Sequence, residues 1–248
     1  MKSRLLAGLA AATASAAVLT AQIEQVPVRP FDLVILNARV FDGTGNPWFP
    51  ADIGVRDGRI AAVGTLTKAQ STRVIDATGK YVSPGFIDIH SHADDGARPT
   101  GGFRDQNAQI RAAPNLVMQG ITTVVVNQDG RSPWPIATQR ALIEQNQIGP
   151  NTMLLVGHGA VRSQVMGRDT RRPATADEVV KMRALVKQAL TEGAVGMSAG
   201  LEYEPGRWSV TSEVVELAKE LPAFEGVYIS HERSEGSCLL YTSDAADE

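Results

Sequence analysis

Short alternating runs come first. Phe31 to Ala38 alternates apolar and polar residues, and Ile53 to Asp57, Arg59 to Val63 and Arg73 to Asp76 follow as further strand-like pieces. Asp42-Gly43, Gly45-Asn46 and Asp57-Gly58 punctuate them as turn signals. Asp57-Gly58 sits directly between two such runs and predicts a hairpin, because Asp-Gly suits the positive φ angles of a two-residue turn. Strands this short and this closely spaced suit a small β-sandwich better than β-α-β units.

From Tyr81 the rhythm changes. Tyr81 to Ile89 reads as a strand broken only by Pro84-Gly85, and it runs into His90-Ser91-His92. A mostly helical stretch leads to Gly120. Ile121 to Val126 is then a continuous β-branched run, the pattern of a strand buried on both faces, and Thr152 to Val156 is a second such run. Thr175-Ala176-Asp177-Glu178 has the form of a capping box. It opens a helix to Glu192 with Val179, Met182, Val186 and Ala189 on one face, and Gly193 ends it. Ala194 to Ser198 is the next strand. A helix around Glu213 to Leu221 precedes the strand Gly226 to Ser230, and His231 follows. Strands alternating with helices predict a parallel α/β sheet. About five strands can be counted, against about eight in a closed (β/α)8 TIM-type barrel. The expected fold is therefore the N-terminal part of such a barrel, preceded by a β-sandwich segment.

The two ends read differently. Lys2 and Arg4 precede an apolar, Ala-rich run from Leu5 to Ala21, as in a signal peptide. Thr13, Ser15 and Thr20 interrupt the run, which is also too short for a comfortable membrane span. Export to the periplasm or the exterior is expected, with no membrane attachment after cleavage. From Gly236 onward no sustained apolar stripe continues the helical rhythm, and the last residues resemble translated adapter sequence. The expected division is residues 1–25 as signal peptide and linker, 26–80 as sandwich, 81–236 as the first half of a barrel, and 237–248 as a non-native tail.

Composition narrows the function. Of 248 residues, 43% are hydrophobic and 21% charged, ordinary values for a globular enzyme. A net charge of −3 offers no basic surface for nucleic acid, and 5% aromatics offer no stacking platform for single strands. Cys238 is the only cysteine, so no internal disulfide exists. The 4 histidines, His90, His92, His158 and His231, each fall at or just after a strand-like run. That is where a parallel barrel keeps its functional groups. His90 and His92 stand two apart on an extended segment, so both rings face the same way and reach one ion. Imidazole nitrogen suits zinc and related divalent metals.

Several segments together resemble one family. They are Phe31-Asp32-Leu33-Val34-Ile35, the run Val82 to His92, Gly120 to Val126, Gly157-His158-Gly159, Gly196 to Leu201 and Tyr228-Ile229-Ser230-His231. The chain is similar to the amidohydrolase superfamily, and most closely to its N-acyl-D-amino-acid deacylase (D-aminoacylase-like) branch. The resemblance implies a β/α barrel beside a β-sandwich built from both chain ends. It implies one or two divalent ions, Zn2+ foremost, held by His90, His92, His231, a further histidine and an aspartate, the last two beyond residue 248. Deacylases of this kind place a cysteine ligand after the second barrel strand. Here Asp129 stands at that place, in Asn127-Gln128-Asp129-Gly130. It is either a harder replacement ligand or an ordinary turn residue before glycine.

By the same resemblance His158 lines the substrate pocket, the alternative being a loop histidine bonded to backbone. Arg162 and Tyr203 are candidates for a substrate carboxylate, beside structural roles. Asp94 and Asp95 are either acceptors that orient the ligand histidines or solvated loop acids. The implied reaction is hydrolysis of a C–N amide bond, not a peptide bond, in a small N-acylated D-amino acid. A bound metal brings the pKa of water from about 15.7 to about 7 and polarises the carbonyl. The proton-transfer aspartate is the one expected beyond the chain end, so residues 1–248 alone are expected to be inactive. Two alternatives stand beside this. A cyclic-amide hydrolase of the dihydropyrimidinase or hydantoinase kind would resemble a branch with a lysine ligand on the fourth strand, where Ala194 to Ser198 has none. A non-catalytic module on the same fold is the other.

Overall fold

The computed structural model describes residues 30–94 and 101–236. The expected signal peptide, Asp95 and the tail with Cys238 lie outside them. Among the described residues no helix is long and apolar enough to cross a membrane. The chain divides into two compact units, Met1–Pro84 and Gly85–Glu248.

The first unit holds β1 (Leu33–Val40), β2 (Phe49–Arg56), β3 (Arg59–Gly64), β4 (Val74–Asp76) and β5 (Tyr81–Val82). They form one sheet in the order β3-β2-β1-β4, with β5 also on β1. β1 alternates as its sequence requires, burying Val34, Leu36, Ala38 and Val40. β2 and β3 pair antiparallel through Arg56↔Arg59, with Asp57 at φ 52 and Gly58 at φ 70 in the turn. These positive angles match the right-handed twist of the flanking strands, as Asp-Gly predicts. The described strands of this unit make up a single sheet. β2 takes one edge of β1, and β4 and β5 share the other.

The single strand expected over Tyr81 to Ile89 is in fact two. Tyr81–Val82 pairs with β1, whereas β6 (Phe86–Asp88) pairs with β7 (Ile121–Val126) in the second unit. Pro84 has no N–H for a ladder and a fixed φ, so it divides the run.

In the second unit β8 (Asn151–Gly157), β9 (Gly196–Gly200) and β10 (Val227–His231) follow β6 and β7. All neighbours are parallel, and the spatial order equals the chain order. A doubly wound sheet would reverse at a switch point; an unbroken sequential order is that of a β/α barrel. The helices are α1 (Ala108–Arg111), α2 (Pro114–Val117), α3 (Ile136–Asn146), α4 (His158–Met166), α5 (Ala176–Thr191) and α6 (Thr211–Ala218). Among the described residues the helical stretch before Gly120 is thus a 3-10 turn, Gly102–Arg104, followed by the single turns α1 and α2.

Helix α5 forms its capping box, with Thr175 Oγ1 accepting from Glu178 N at 3.3 Å and Glu178 Oε2 accepting from Thr175 N at 2.8 Å. It buries Met182, Val186, Ala189 and Leu190. Each large side chain fully buried there contributes roughly 1.5–3 kcal/mol. They join Val124, Val126, Val156, Met197 and Leu217 in one core behind the sheet. β6 and β10 pair along one edge only among the described residues. Accordingly Phe86, Ile87 and Val227 are exposed, while the inner strand β9 is buried throughout.

Candidate metal centre

The expected metal-ligand residues stand at or just after the C-terminal ends of strands. After β6, the Ser91 N–H donates to Val125 O at 3.0 Å, which docks the His-Ser-His segment on β7. Ser91 points inward and is buried, so the histidines on either side of it share the open face, with side chains 45% and 52% exposed. Gln128 Nε2 also donates to Ile89 O at 3.1 Å and Val125 O at 2.9 Å. The peptide ahead of His90 is therefore held from two sides.

After β7 the backbone turns sharply. Asn127, Asp129 and Gly130 have φ of 68, 57 and 72. The two non-glycine residues each cost about 1–3 kcal/mol in this region, a cost the surroundings must offset. Asn127 Nδ2 donates to Gln139 Oε1 and Leu155 O, both at 2.8 Å, in a fully buried setting. Gly130 admits no side chain, since a Cβ there would lie 2.7 Å from Gly200 N. A Cβ on Gly200 would lie 2.1 Å from Asp129 O. The two glycines let the turn press directly onto β9, and the turn aims Asp129 back over the sheet.

Asp129 Oδ1 lies 3.5 Å from His90 Nε2, and Oδ2 lies 3.4 Å from His92 Nε2. One donor atom from each of the three residues lies within 4.8 Å of the others. Ligands about 2.0–2.1 Å from a tetrahedral zinc are about 3.3–3.4 Å apart, and each histidine lies close to that distance from one oxygen of Asp129. Asp129 Oδ1 is buried and accepts no hydrogen bond. A buried carboxylate oxygen without a donor is costly unless a cation completes it. Two imidazoles and one carboxylate suit zinc or a similar first-row ion.

His231, the last residue of β10, approaches from the other side. Its Nδ1 lies 3.8 Å from Asp129 Oδ1 and 3.1 Å from Glu235 Oε1, and its Nε2 lies 3.2 Å from Glu202 Oε2. The Tyr203 ring packs on it, with centroids 4.4 Å apart, and the Arg131 guanidinium lies 5.5 Å from the Tyr203 centroid. Burial, then the negative charges of Asp129, Glu235 and Glu202, push the Tyr203 hydroxyl above its ordinary pKa. It stays protonated, and so remains a hydrogen-bond donor beside the cluster.

His158 and Arg162 do not join this group. His158 is not in a turn: it is the first residue of α4 and has 0% exposure. Its Nε2 lies 2.8 Å from Glu213 Oε1. Arg162, one turn further along and also fully buried, donates to both Glu213 oxygens and to the Thr170 and Arg172 carbonyls. The helix begins at His158 itself, so both side chains are directed at Glu213 of α6, while His158 Nδ1 and Arg162 Nε have no partner among the described residues. Burial would raise the Glu213 pKa, but the hydrogen bonds and charges of His158 and Arg162 outweigh it and hold Glu213 below the ordinary value. Asp94 does not orient the ligand histidines either. It is buried against Arg104, accepting at 2.8 and 2.9 Å.

Glu213, Ser198, Gln128 and Arg131 escaped the sequence reading. Two of them carry a signal: Glu213 shares the buried side of α6 with Val214 and Leu217, and Ser198 is the one hydroxyl in the buried strand β9. A polar residue at a core position of a periodic pattern implies a buried partner.

A sequentially wound parallel β/α sheet with a histidine, histidine and carboxylate donor set at its C-terminal edge defines a barrel protein of the metal-site class. The chain matches the profile of the Amidohydrolase family over residues 73–221, and it belongs to that family. It is 33% identical over 241 residues to the D-aminoacylase of Alcaligenes xylosoxydans xylosoxydans, covering 88% of this chain and 48% of that protein. To the N-acyl-D-glutamate deacylase of the same organism it is 36% identical over 233 residues, with coverages of 84% and 45%. A crystal structure of N-acyl-D-glutamate deacylase from Bordetella bronchiseptica, complexed with zinc and a phosphonate mimic of the tetrahedral intermediate, aligns with TM-score 0.78. That match is 33% identical and covers 88% of this chain and 48% of the other. The chain thus spans about half the length of the curated relatives it matches.

Proposed function

We propose that the protein is a metal-dependent hydrolase of linear amides that releases a D-amino acid from its N-acyl derivative. The observation that carries this is the His90, His92 and Asp129 cluster, in which each histidine faces one oxygen of a carboxylate whose Oδ1 has no hydrogen-bond donor. His90, His92 and Asp129 would hold the ion, with His231 beside Asp129 as a further ligand. A divalent ion held there supplies Lewis acidity toward a carbonyl and acidifies water at neutral pH. Gln128 and Ser91 keep the histidines in place, and the protonated Tyr203 hydroxyl is available to a substrate oxygen. Proton transfer to the leaving amine is assigned to none of the described residues.

The similarity to D-aminoacylase and N-acyl-D-glutamate deacylase supports the substrate class. The cyclic-amide alternative lacks its expected lysine, since β9 reads Gly-Met-Ser-Ala-Gly. Export rests on Lys2, Arg4 and the apolar run that follows them. The test is to supply the full-length protein with zinc and offer N-acetyl-D-amino acids, their L-enantiomers and a 5-substituted hydantoin. Release of free D-amino acid, lost on chelation and restored by zinc, is expected. Ring opening of the hydantoin without deacylation would replace this reading with the cyclic-amide one.

A further inference from the structure

Ser198 stands in the middle of β9 with no exposed surface, and its strand neighbours Met197 and Ala199 are apolar and fully buried. A hydroxyl in such a place is costly unless both its donor and its acceptor capacity are used. Both are used, and on the same loop. Ser198 Oγ donates to Asn127 O at 2.6 Å and accepts from the Gly130 N–H at 3.1 Å. These two backbone groups bracket Gln128 and Asp129, so a single side chain fixes both ends of the segment that carries the carboxylate.

The other supports of this turn act elsewhere. The Ala160 N–H donates to Gly130 O at 3.2 Å, and the Arg131 N–H donates to Gln128 O at 3.1 Å. The Asn127 side chain ties the start of the turn to Gln139 and Leu155. Among these contacts only the Ser198 hydroxyl reaches across to both Asn127 O and Gly130 N. Without it, the left-handed conformations of Asn127 and Asp129 have less to hold them, and the turn relaxes toward commoner backbone angles.

We infer that Ser198 is a positioning residue for the metal centre, setting the Asp129 carboxylate at bonding range of an ion shared with His90 and His92. The inference rests on the reading of Asp129 as a ligand. Metal–ligand distances tolerate only about ±0.2 Å, so a small relaxation of the turn is enough to weaken binding. Loss of a residue that orients a ligand typically costs about 10–100-fold in metal affinity.

The experiment uses metal-free full-length protein titrated with Co2+. It follows the dissociation constant, the visible d–d spectrum and thermal unfolding without metal, in Ser198→Ala, Asp129→Ala and the double variant. Ser198→Ala should bind Co2+ about tenfold or more weakly, with an altered d–d band, while its metal-free unfolding stays close to the parent. In the Asp129→Ala background, adding Ser198→Ala should change cobalt affinity no further. Parental affinity and spectrum in Ser198→Ala would overturn the inference, and so would a Ser198→Ala loss that persists undiminished in the Asp129→Ala background. Both of those results leave Asp129 as a ligand if Asp129→Ala itself weakens binding. Parental cobalt affinity in Asp129→Ala would instead remove the ligand reading, and this inference with it. Should Ser198→Ala fail to fold, Ser198→Cys, whose thiol is a weak donor and acceptor, must show the same loss.

Discussion

Asp129 Oδ2 lies 3.4 Å from His92 Nε2, although the two residues leave the sheet from different strands. That separation is too long for a good hydrogen bond and right for two ligands of one small ion. The same carboxylate faces His90 through its other oxygen, which has no donor of its own. A turn aspartate with no ligand role would have its oxygens in water or on nearby N–H groups. Asp129 is only 13% exposed, and its Oδ1 is buried with no such donor.

Replacing His90 and His92 together by alanine removes both nitrogen donors. Zinc content of the full-length protein, measured by elemental analysis, should fall to background, and deacylation should go with it. Retained zinc and turnover would show that the ion is held elsewhere.

Asp129→Ala should lower both metal occupancy and rate, whereas Asp129→Cys should keep part of each, because thiolate is itself a good zinc ligand. Parallel metal analysis and turnover of the two variants check this. Equal loss in both would mean that the turn tolerates only aspartate, for backbone reasons.

The buried cluster of His158, Arg162 and Glu213 predicts a stability effect. Glu213→Ala leaves Arg162 buried and without its carboxylate, and breaking a buried pair in this way costs about 3–5 kcal/mol. Denaturant unfolding measures it. The pH dependence has a definite sign. The folded-state pKa of Glu213 is lowered from 4.5, so its contribution is complete above about pH 4.5 and is lost as pH falls through the folded value. The parent should lose stability over that acid range, and Glu213→Gln should lose less over the same range. Equal acid slopes in the two proteins would assign the loss to other carboxylates.

Thr175→Ala should destabilise by about 1 kcal/mol and Thr175→Gly by only a few tenths, since glycine leaves the helix start open to water. Thermal melts of the two variants separate these values. Equal losses would indicate that the Glu178 half of the capping box carries the effect.

Much of this was legible because it is local. The Asp57-Gly58 hairpin, the Thr175 capping box and the β-branched run Ile121–Val126 each follow from adjacent residues and their backbone preferences. Boundaries slipped where neighbours decide them. β9 begins at Gly196 and not Ala194, and it runs on to Gly200, because its pairing with β8 and β10 sets its length. The break at Pro84-Gly85 was visible, but not that the halves of the run join different sheets.

For the site, the sequence by itself determined that His90 and His92 share a face, since side chains two apart on an extended segment must do so. It also put His231 and Asp129 at strand ends. Only the tertiary structure decided which strand-end groups meet. In the sequence His158, like His231, stands at the end of a strand-like run, yet a helix starting at that residue turns it inward to Glu213. Asp129 reaches the histidines because a left-handed turn, pressed onto β9 and bonded to Ser198, bends it back over the sheet. Such a turn depends on atoms some 70 residues away in sequence, and no local pattern encodes contacts at that range.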